Sequence, residues 1–339
     1  MGHKKLRHQA AGHDGTLTDI DERLIFKPAV DQEVEFYTNI ISREDREGVD
    51  FPLECWMCVF VGTLSEGILN VENNDGIMML KGEDVVEPTT DYLQHLSLSS
   101  DHTQKYLVLE NLTYGYRRPN ILDIKLGKVL HDENAPEEKK ARLAAVSAST
   151  TSGSLGFRVC GMKIERNDLV AQLDKAHYEE EEDDYIFVNK MYGRSRTVDD
   201  VLDAIRLFFN APKLPEHRRS ELINRFGTRL RLFYNTLLDE EVRMFSSSLL
   251  FIYEGDPERW DMEHAVDSVL NEPSFLDGDS ECSSEDWDKS CNIPLSSMSL
   301  IDFAHSKLTP GKGYDENVII GVENLMEVFD KICGECSEQ

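Results

Sequence analysis

Residues 119–127 read Pro-Asn-Ile-Leu-Asp-Ile-Lys-Leu-Gly. Leu122, Ile124 and Leu126 alternate with Asp123 and Lys125, which is the two-residue period of a β-strand. The apolar three then face one way. The acid and the base face the other, with Cα atoms roughly 6.5 Å apart. A carboxylate and an ammonium at that spacing can hold a small polar group between them. The pattern equally fits a half-buried strand with a surface ion pair, which contributes little by itself. This stretch alone leaves both readings open.

Three further positions carry the chemistry of phosphoryl transfer. Lys27 ends a short strand and precedes a helix bearing Glu33, the pairing with which protein kinases hold a lysine on nucleotide phosphates. An apolar strand at 106–109 runs into Glu110, Asn111 and Leu112, a candidate hinge whose backbone bonds adenine. Asp302 follows Leu300-Ile301, at a strand end from which an aspartate can bind Mg²⁺. Each has a structural counterpart, since strand-end lysines usually sit on the surface and strand-end acids often cap turns. Their order along the chain is that of a two-lobed kinase. The common nucleotide loops are missing: there is no GxxxxGK[ST], and TPGKGYD at 309–315 has no Ser or Thr after Lys312. The HRD and DFG sets of protein kinases are missing too.

Positioning these residues requires both strands and helices. Turn residues Gly12 and Gly15 lead towards a strand at 24–26, which Lys27 ends and Pro28 stops. Val34, Tyr37 and Ile41 recur at helical spacing over 30–41. Residues 65–104 read as a polar insertion, and 131–147 as a charged loop leading into a helix. Residues 149–164 read as a Gly/Ser loop and then a strand. Leu222, Phe226, Leu230, Phe233 and Leu237 form the apolar stripe of a helix predicted over 216–244. A strand is expected at 246–256, and an acidic, Ser-rich insertion at 271–298, with order resuming near 295. A helix near 317–331 closes the chain.

The 339 residues, 40% of them hydrophobic, can bury a substantial core in one large domain or two lobes. A net charge of −28 argues against nonspecific binding to nucleic acid or anionic membranes. An anionic substrate would need a local basic pocket working against that field. No apolar run is long enough to span a membrane, and no secretory signal is evident. The seven cysteines are therefore expected as reduced thiols. Cys55/Cys58 and Cys333/Cys336 have CxxC spacing, which also fits a four-thiolate zinc site.

PNILDIKLG matches the PxxxDxKxG signature of the inositol phosphate kinase family. The Ser-Leu-Leu element of that family corresponds to Ser248-Leu249-Leu250, and its Ile-Asp-Phe element to Ile301-Asp302-Phe303. Its N-terminal Lys-Pro corresponds to Lys27-Pro28, followed by an acidic helix with Phe36-Tyr37. The chain resembles the family over nearly its whole length, except for 65–104 and 271–298. AAGHDGTLTD, TTSGSLGFR, SSSLLFIYEGDPERW and SLIDFAHS are most similar to the fungal inositol polyphosphate multikinases.

The resemblance implies an α/β (α+β) fold, two-lobed and protein-kinase-like. A β-rich N-lobe would span 1–112. A mixed C-lobe with a short inositol-binding helical insertion would span 113–339. It implies ATP- and Mg²⁺-dependent phosphorylation of inositol 1,4,5-trisphosphate at the 6- and 3-hydroxyls, giving tetrakis- and then pentakisphosphate. In that scheme Asp123 contacts the attacking hydroxyl and can reach the ribose. Lys125 bridges the substrate and the transferring phosphoryl group. Lys27 holds the nucleotide phosphates, and residues 12–15 form a hairpin tip over them. Glu110 and Leu112 bond adenine, and Asp302 binds Mg²⁺ with Ser248 nearby. Lys139 and Arg142, three apart on one helix face, hold the inositol phosphates together with His305, assisted by Lys128 and Lys140. Two other readings stay open. One is an inositol hexakisphosphate kinase that makes pyrophosphates. The other is a nuclear and cytoplasmic scaffold in a MADS-box transcription complex, with 271–298 as its docking segment.

Overall fold

Two antiparallel sheets meet along one cleft in the computed structural model, which describes residues 4–6, 8–10, 15–43, 51–65, 68–70, 105–262, 267–270 and 294–337. The first sheet contains β1 (Lys4–Lys5), β2 (Leu17–Thr18), β3 (Leu24–Ala29), β4 (Phe60–Ser65), β5 (Ile68–Asn70) and β6 (Lys105–Glu110), in the order β1-β2-β3-β6-β4-β5. Pro28 does not stop β3. It lies within the strand, opposite Tyr106 of β6. Among the described residues β2 pairs with β3 at Ile25 and Phe26 and not at Pro28, a position that tolerates the missing N–H.

Helix α1 (Asp31–Ile41) follows β3. Its buried residues are Glu33, Phe36, Tyr37 and Ile40, while Val34 and Ile41 are only partly covered. The expected apolar stripe is thus rotated by one position, and an acid occupies part of it.

The second sheet contains β7 (Pro119–Leu126), β8 (Phe157–Glu165), β9 (Tyr178–Glu180), β10 (Tyr185–Val188), β12 (Ser248–Glu254) and β13 (Ser296–Ile301), in the order β13-β12-β7-β8-β10-β9. β11 (Val242–Met244) pairs with β14 (Ser306–Leu308) in a separate ribbon, against which α1 packs. Helices α2 (Glu137–Ala148), α3 (Thr151–Leu155), α4 (Lys190–Ser195), α5 (Val201–Phe209), α6 (Glu216–Asp239), α7 (Pro257–Trp260) and α8 (Glu316–Ser337) complete the described residues. The expected Gly/Ser loop before β8 contains α3, which ends on left-handed Gly156. The 216–244 helix ends at Asp239, because the chain then turns into β11.

β7 is an interior strand with both faces covered, which overturns the half-buried reading of PNILDIKLG. Leu122, Ile124 and Leu126 join one core with Phe208 of α5, Phe226 of α6 and Phe329 of α8. The five residues of the α6 stripe all lie in that core. Met57, three residues before β4, makes an isolated parallel bridge to Leu300 of β13.

The expected acidic insertion is shorter than 271–298, because residues 296–298 already belong to β13. Residues 271–293, residues 71–104 and Gly12 lie outside the described residues. Cys55 is exposed, whereas Cys58 is buried with its Sγ 3.3 Å from the Tyr37 hydroxyl. Among the described residues no cluster of three or more His, Cys, Asp or Glu could hold a metal, and no helix is long and apolar enough to cross a membrane.

Arg229 of α6 is fully buried and ties both flanks of the acidic segment together. It donates to Val269 O (2.8 Å), Ser296 Oγ (2.7 Å) and Asp267 Oδ1 (3.2 Å). Asp267 Oδ1 in turn accepts from Ser296 N at 3.0 Å. Removing the guanidinium would strand Asp267 and several backbone carbonyls without partners. An Arg229→Ala variant is therefore expected to lose about 3–5 kcal/mol of stability, measured as a lower urea midpoint.

Candidate active site

The strands deliver their polar residues by register. Ser248 at the start of β12 lies opposite Lys125 of β7 and also opposite Ile301, one residue before Asp302. Leu250 lies opposite Asp123. Directly opposed residues share a face, so Asp123, Lys125, Ser248 and the exit to Asp302 line one face of the sheet at one end. Three neighbouring strand ends turn there through left-handed backbone: Gly127 (φ +95°), Ser246 (φ +60°) and Asp302 (φ +66°). Such a φ is uncommon for Ser and Asp, and backbone strain of this kind concentrates at functional sites.

A four-membered network joins the two sheets. Lys27 Nζ donates to Glu33 Oε1 and to Asp302 Oδ1, both at 2.7 Å. Glu33 Oε1 also accepts from Phe303 N at 3.1 Å. Burial alone would lower the Lys27 ammonium, but the Asp302 and Glu33 carboxylates outweigh it and hold the group well above the usual lysine range. Phe303 then wedges into α1, stacking on Phe36 (4.9 Å) and meeting Tyr37 edge-on (5.1 Å). This packing explains why the Phe-Tyr and Ile-Asp-Phe elements occur together.

Asp123 is buried beside the buried Ser248 hydroxyl, which helps to hold its carboxyl down, but neither Asp123 Oδ1 nor Ser248 Oγ makes a hydrogen bond of ordinary geometry among the described residues. Burial pushes the Asp123 carboxyl up to about 6; the Lys125 ammonium opposes this and Asp302 adds to it. Lys125 is aimed by a 2.6 Å bond from Nζ to Ser246 O. A Mg²⁺ ion in phosphotransferases takes one or two carboxylates and completes its shell with phosphate and water oxygens. Asp302 together with the orphaned oxygens of Asp123 and Ser248 fits that donor set.

Two contributors escaped the sequence reasoning. Arg158 of β8 lies opposite Lys125, is buried, and donates to Ser152 Oγ at 3.1 Å. Among the described residues it has no ion-pair partner. Two cations in opposed positions repel unless an anion lies between them. Its only sequence signal was an arginine at strand spacing after the TTSGSLG turn. Ser246, which aims Lys125, had no signal, since its role lies in a backbone carbonyl.

On the substrate side, His305 lies between Asp132 (Nδ1 to Oδ2, 2.5 Å) and Lys139 of α2 (Nε2 to Nζ, 3.3 Å). Arg142 is on the same helix, one turn further on. Lys140 is paired with Glu137 at 2.9 Å rather than with this group. Lys128 is half-buried, and its N–H donates to Asn317 Oδ1 at 2.8 Å. At the end of β6 the Glu110 N–H is committed to Val59 O at 3.0 Å. The Leu112 N–H makes no hydrogen bond among the described residues.

Comparisons with known proteins show the family and the fold. The family model described as inositol polyphosphate kinase matches residues 106–330. An inositol polyphosphate multikinase of Saccharomyces cerevisiae is 52% identical, over 97% of this chain and 98% of its own. One from Schizosaccharomyces pombe is 31% identical, over 95% and 94%. A solved S. cerevisiae inositol phosphate multikinase, in complex with ADP and Mn²⁺, superposes with a TM-score of 0.71 at 49% identity, covering 91% of this chain and 99% of that one.

The raised Asp123 carboxyl has a consequence for stability. The folded state binds a proton between about 3.8 and about 6 that the unfolded chain has already released. Stability contributed at this site is therefore present at acid pH and lost as pH rises through that window, by on the order of 3 kcal/mol. Asp123→Asn is expected to melt higher than the parent at neutral pH. The difference should shrink as the pH is lowered towards about 4, followed by calorimetry across pH.

Proposed function

The chain belongs to the inositol polyphosphate kinase family, and we propose that it works there as a multikinase. It is an ATP-dependent phosphotransferase with an α/β, two-lobed, kinase-like fold. The reading carries inositol 1,4,5-trisphosphate to tetrakis- and pentakisphosphate through its 6- and 3-hydroxyls. The observation that carries it is the joining of Lys27, Asp302, Asp123 and Lys125 at one end of the cleft by residues far apart in sequence. The N-lobe is taken to end at Leu112 and the C-lobe to begin with residue 113.

The roles follow from charge and reach. Phosphoryl transfer passes through a loose transition state, so positioning and charge neutralisation matter most. Lys27, already gripped by two carboxylates, is pre-set to hold nucleotide phosphates. The Glu110 and Leu112 backbone would bond adenine, and the open Leu112 N–H supports this. Asp302, with Ser248 and the free oxygen of Asp123, would hold Mg²⁺, which neutralises charge on the transferring group when bound. Asp123 orients the attacking hydroxyl and is placed to accept its proton. Lys125 and Arg158 face the transferred phosphoryl group. Lys139, Arg142 and His305 hold the remaining phosphates.

We extend the proposal to nuclear and cytoplasmic localisation. On the resemblance alone, a MADS-box transcription complex would dock on the acidic segment at 271–293.

Purified protein given Mg-ATP and inositol 1,4,5-trisphosphate should yield tetrakis- and then pentakisphosphate, resolved by chromatography. Lys125→Ala should lower kcat by about 10³-fold while the melting temperature stays nearly constant. Turnover of the hexakisphosphate alone, with a β-phosphate signal by ³¹P NMR, would instead place the protein in the pyrophosphate-forming branch. Silence on both substrates would sink the reading.

A further inference from the structure

We infer that Asp132 is a positioning residue that fixes the His305 tautomer, so that His305 and Lys139 act as one proton-linked clamp on a substrate phosphate. This rests on the reading of the cleft as an inositol phosphate site.

The geometry limits where the imidazole proton can be. An ammonium has three donors and no acceptor. Lys139 Nζ, 3.3 Å from His305 Nε2, must therefore donate, and Nε2 must carry no proton. The ring proton then sits on Nδ1, from which it is donated to Asp132 Oδ2 at 2.5 Å. Burial would raise the Asp132 carboxyl, but the Asn134 N–H (2.8 Å) and His305 outweigh it and keep the group below the usual aspartate range. Asp132 is therefore an anion and a dependable acceptor.

Its loop is also fixed in place. Lys128 N and Val129 N both donate to Asn317 Oδ1, at 2.8 and 2.7 Å, and Ser246 Oγ donates to Leu130 O at 2.9 Å. The same Ser246 supplies the carbonyl that aims Lys125, so the loop is referenced to the reaction centre.

The other charges around His305 are already matched. Glu133 pairs with Lys307 of β14 at 2.5 Å, and Glu137 with Lys140 of α2 at 2.9 Å. Asp302, three residues upstream, is bonded to Lys27. Among the described residues, Asp132 and Lys139 are the charged groups bonded to the ring.

When a phosphate arrives, the Lys139 N–H turns to the anion and Nε2 loses its donor. Nε2 then takes a proton from solvent and donates it to the same phosphate, while Asp132 stabilises the imidazolium. Substrate binding thereby takes up a proton that the free site does not hold. In a chain of net charge −28, this adds positive charge only when an anion is present to use it.

Two measurements on the whole chain test the inference. First, ¹⁵N NMR of the unliganded protein should show His305 as the neutral Nδ1–H tautomer. In Asp132→Asn, whose amide can donate as well as accept, that preference should weaken, with Lys139 alone left to hold it. An Nε2–H tautomer in the parent overturns the inference without reference to any substrate. Second, calorimetry of inositol 1,4,5-trisphosphate binding, in buffers of different ionisation enthalpy, counts protons. The parent should take up more than His305→Gln, and Asp132→Asn should match His305→Gln. In turnover assays Asp132→Asn should raise KM for the trisphosphate about tenfold, with kcat and the KM for ATP little changed. Equal proton uptake in the parent and His305→Gln, or an unchanged KM in Asp132→Asn, overturns the inference. Tautomer and proton uptake as expected, but no turnover by the parent, would fault the kinase reading and leave the clamp standing.

Discussion

The Glu33 carboxylate is the constraint on which the cleft depends. It is buried on α1, where a charge is costly unless it has partners. Lys27 Nζ and the Phe303 N–H supply them, one from the first sheet and one from the exit of β13. Satisfying one buried acid therefore sets the distance between the sheets. It also forces the chain at Asp302 to turn sharply, and the left-handed φ there is the local strain that results. Phe303 offsets that strain by filling the space beside Phe36 and Tyr37. A shift of α1 would leave Glu33 unpaired, Lys27 misdirected and Phe303 unpacked together. Such coupling favours two discrete arrangements over gradual drift.

The charge balance of the cleft runs opposite to that of the chain. A molecule of net charge −28 repels inositol phosphates and nucleotides at long range. Within a Debye length of roughly 8–10 Å the local groups dominate, and Lys125 and Arg158 on the sheet and Lys139 beside His305 are the basic groups placed there. Lys125 and Arg158 lie opposite each other across β7 and β8, and the Asp123 carboxylate interacts with both cations without an ion pair to either among the described residues. Asp123, the acid nearest to them, keeps an oxygen without a protein partner among the described residues. A site built only for stability would have paired these groups. In the proposed reaction a phosphate, a metal ion and a hydroxyl would complete them.

Local chemistry was readable from the sequence, and its tertiary consequences were not. The α6 stripe from Leu222 to Leu237 and the alternation in β7 were legible because periodicity records which face is buried. Lys27, Asp123, Lys125 and Asp302 were legible because motif spacing survives without knowledge of packing. Periodicity could not tell that β7 is covered on both faces, since alternation also describes a polar face that is buried for catalysis. Pro28 misled because its cost depends on whether a neighbour strand is present at that residue. The α1 stripe was misjudged because Glu33 is buried as an ion-pair member, which no hydrophobicity pattern records. Ser246 and Asp132 meet partners far away in sequence, Lys125 and His305, so nothing near them announced a role.

The described residues on either side of the acidic segment are tied into this framework. Its flanks, Val269 and Ser296, both bond Arg229, whose side chain rises from α6 behind β13. Glu254 N and Leu295 O add a 2.8 Å bond that fastens the same corner to β12. β13 starts directly at this clamp and ends one residue before Asp302, so the strand that positions Asp302 is anchored at its start by Arg229 and held in register against Ser248.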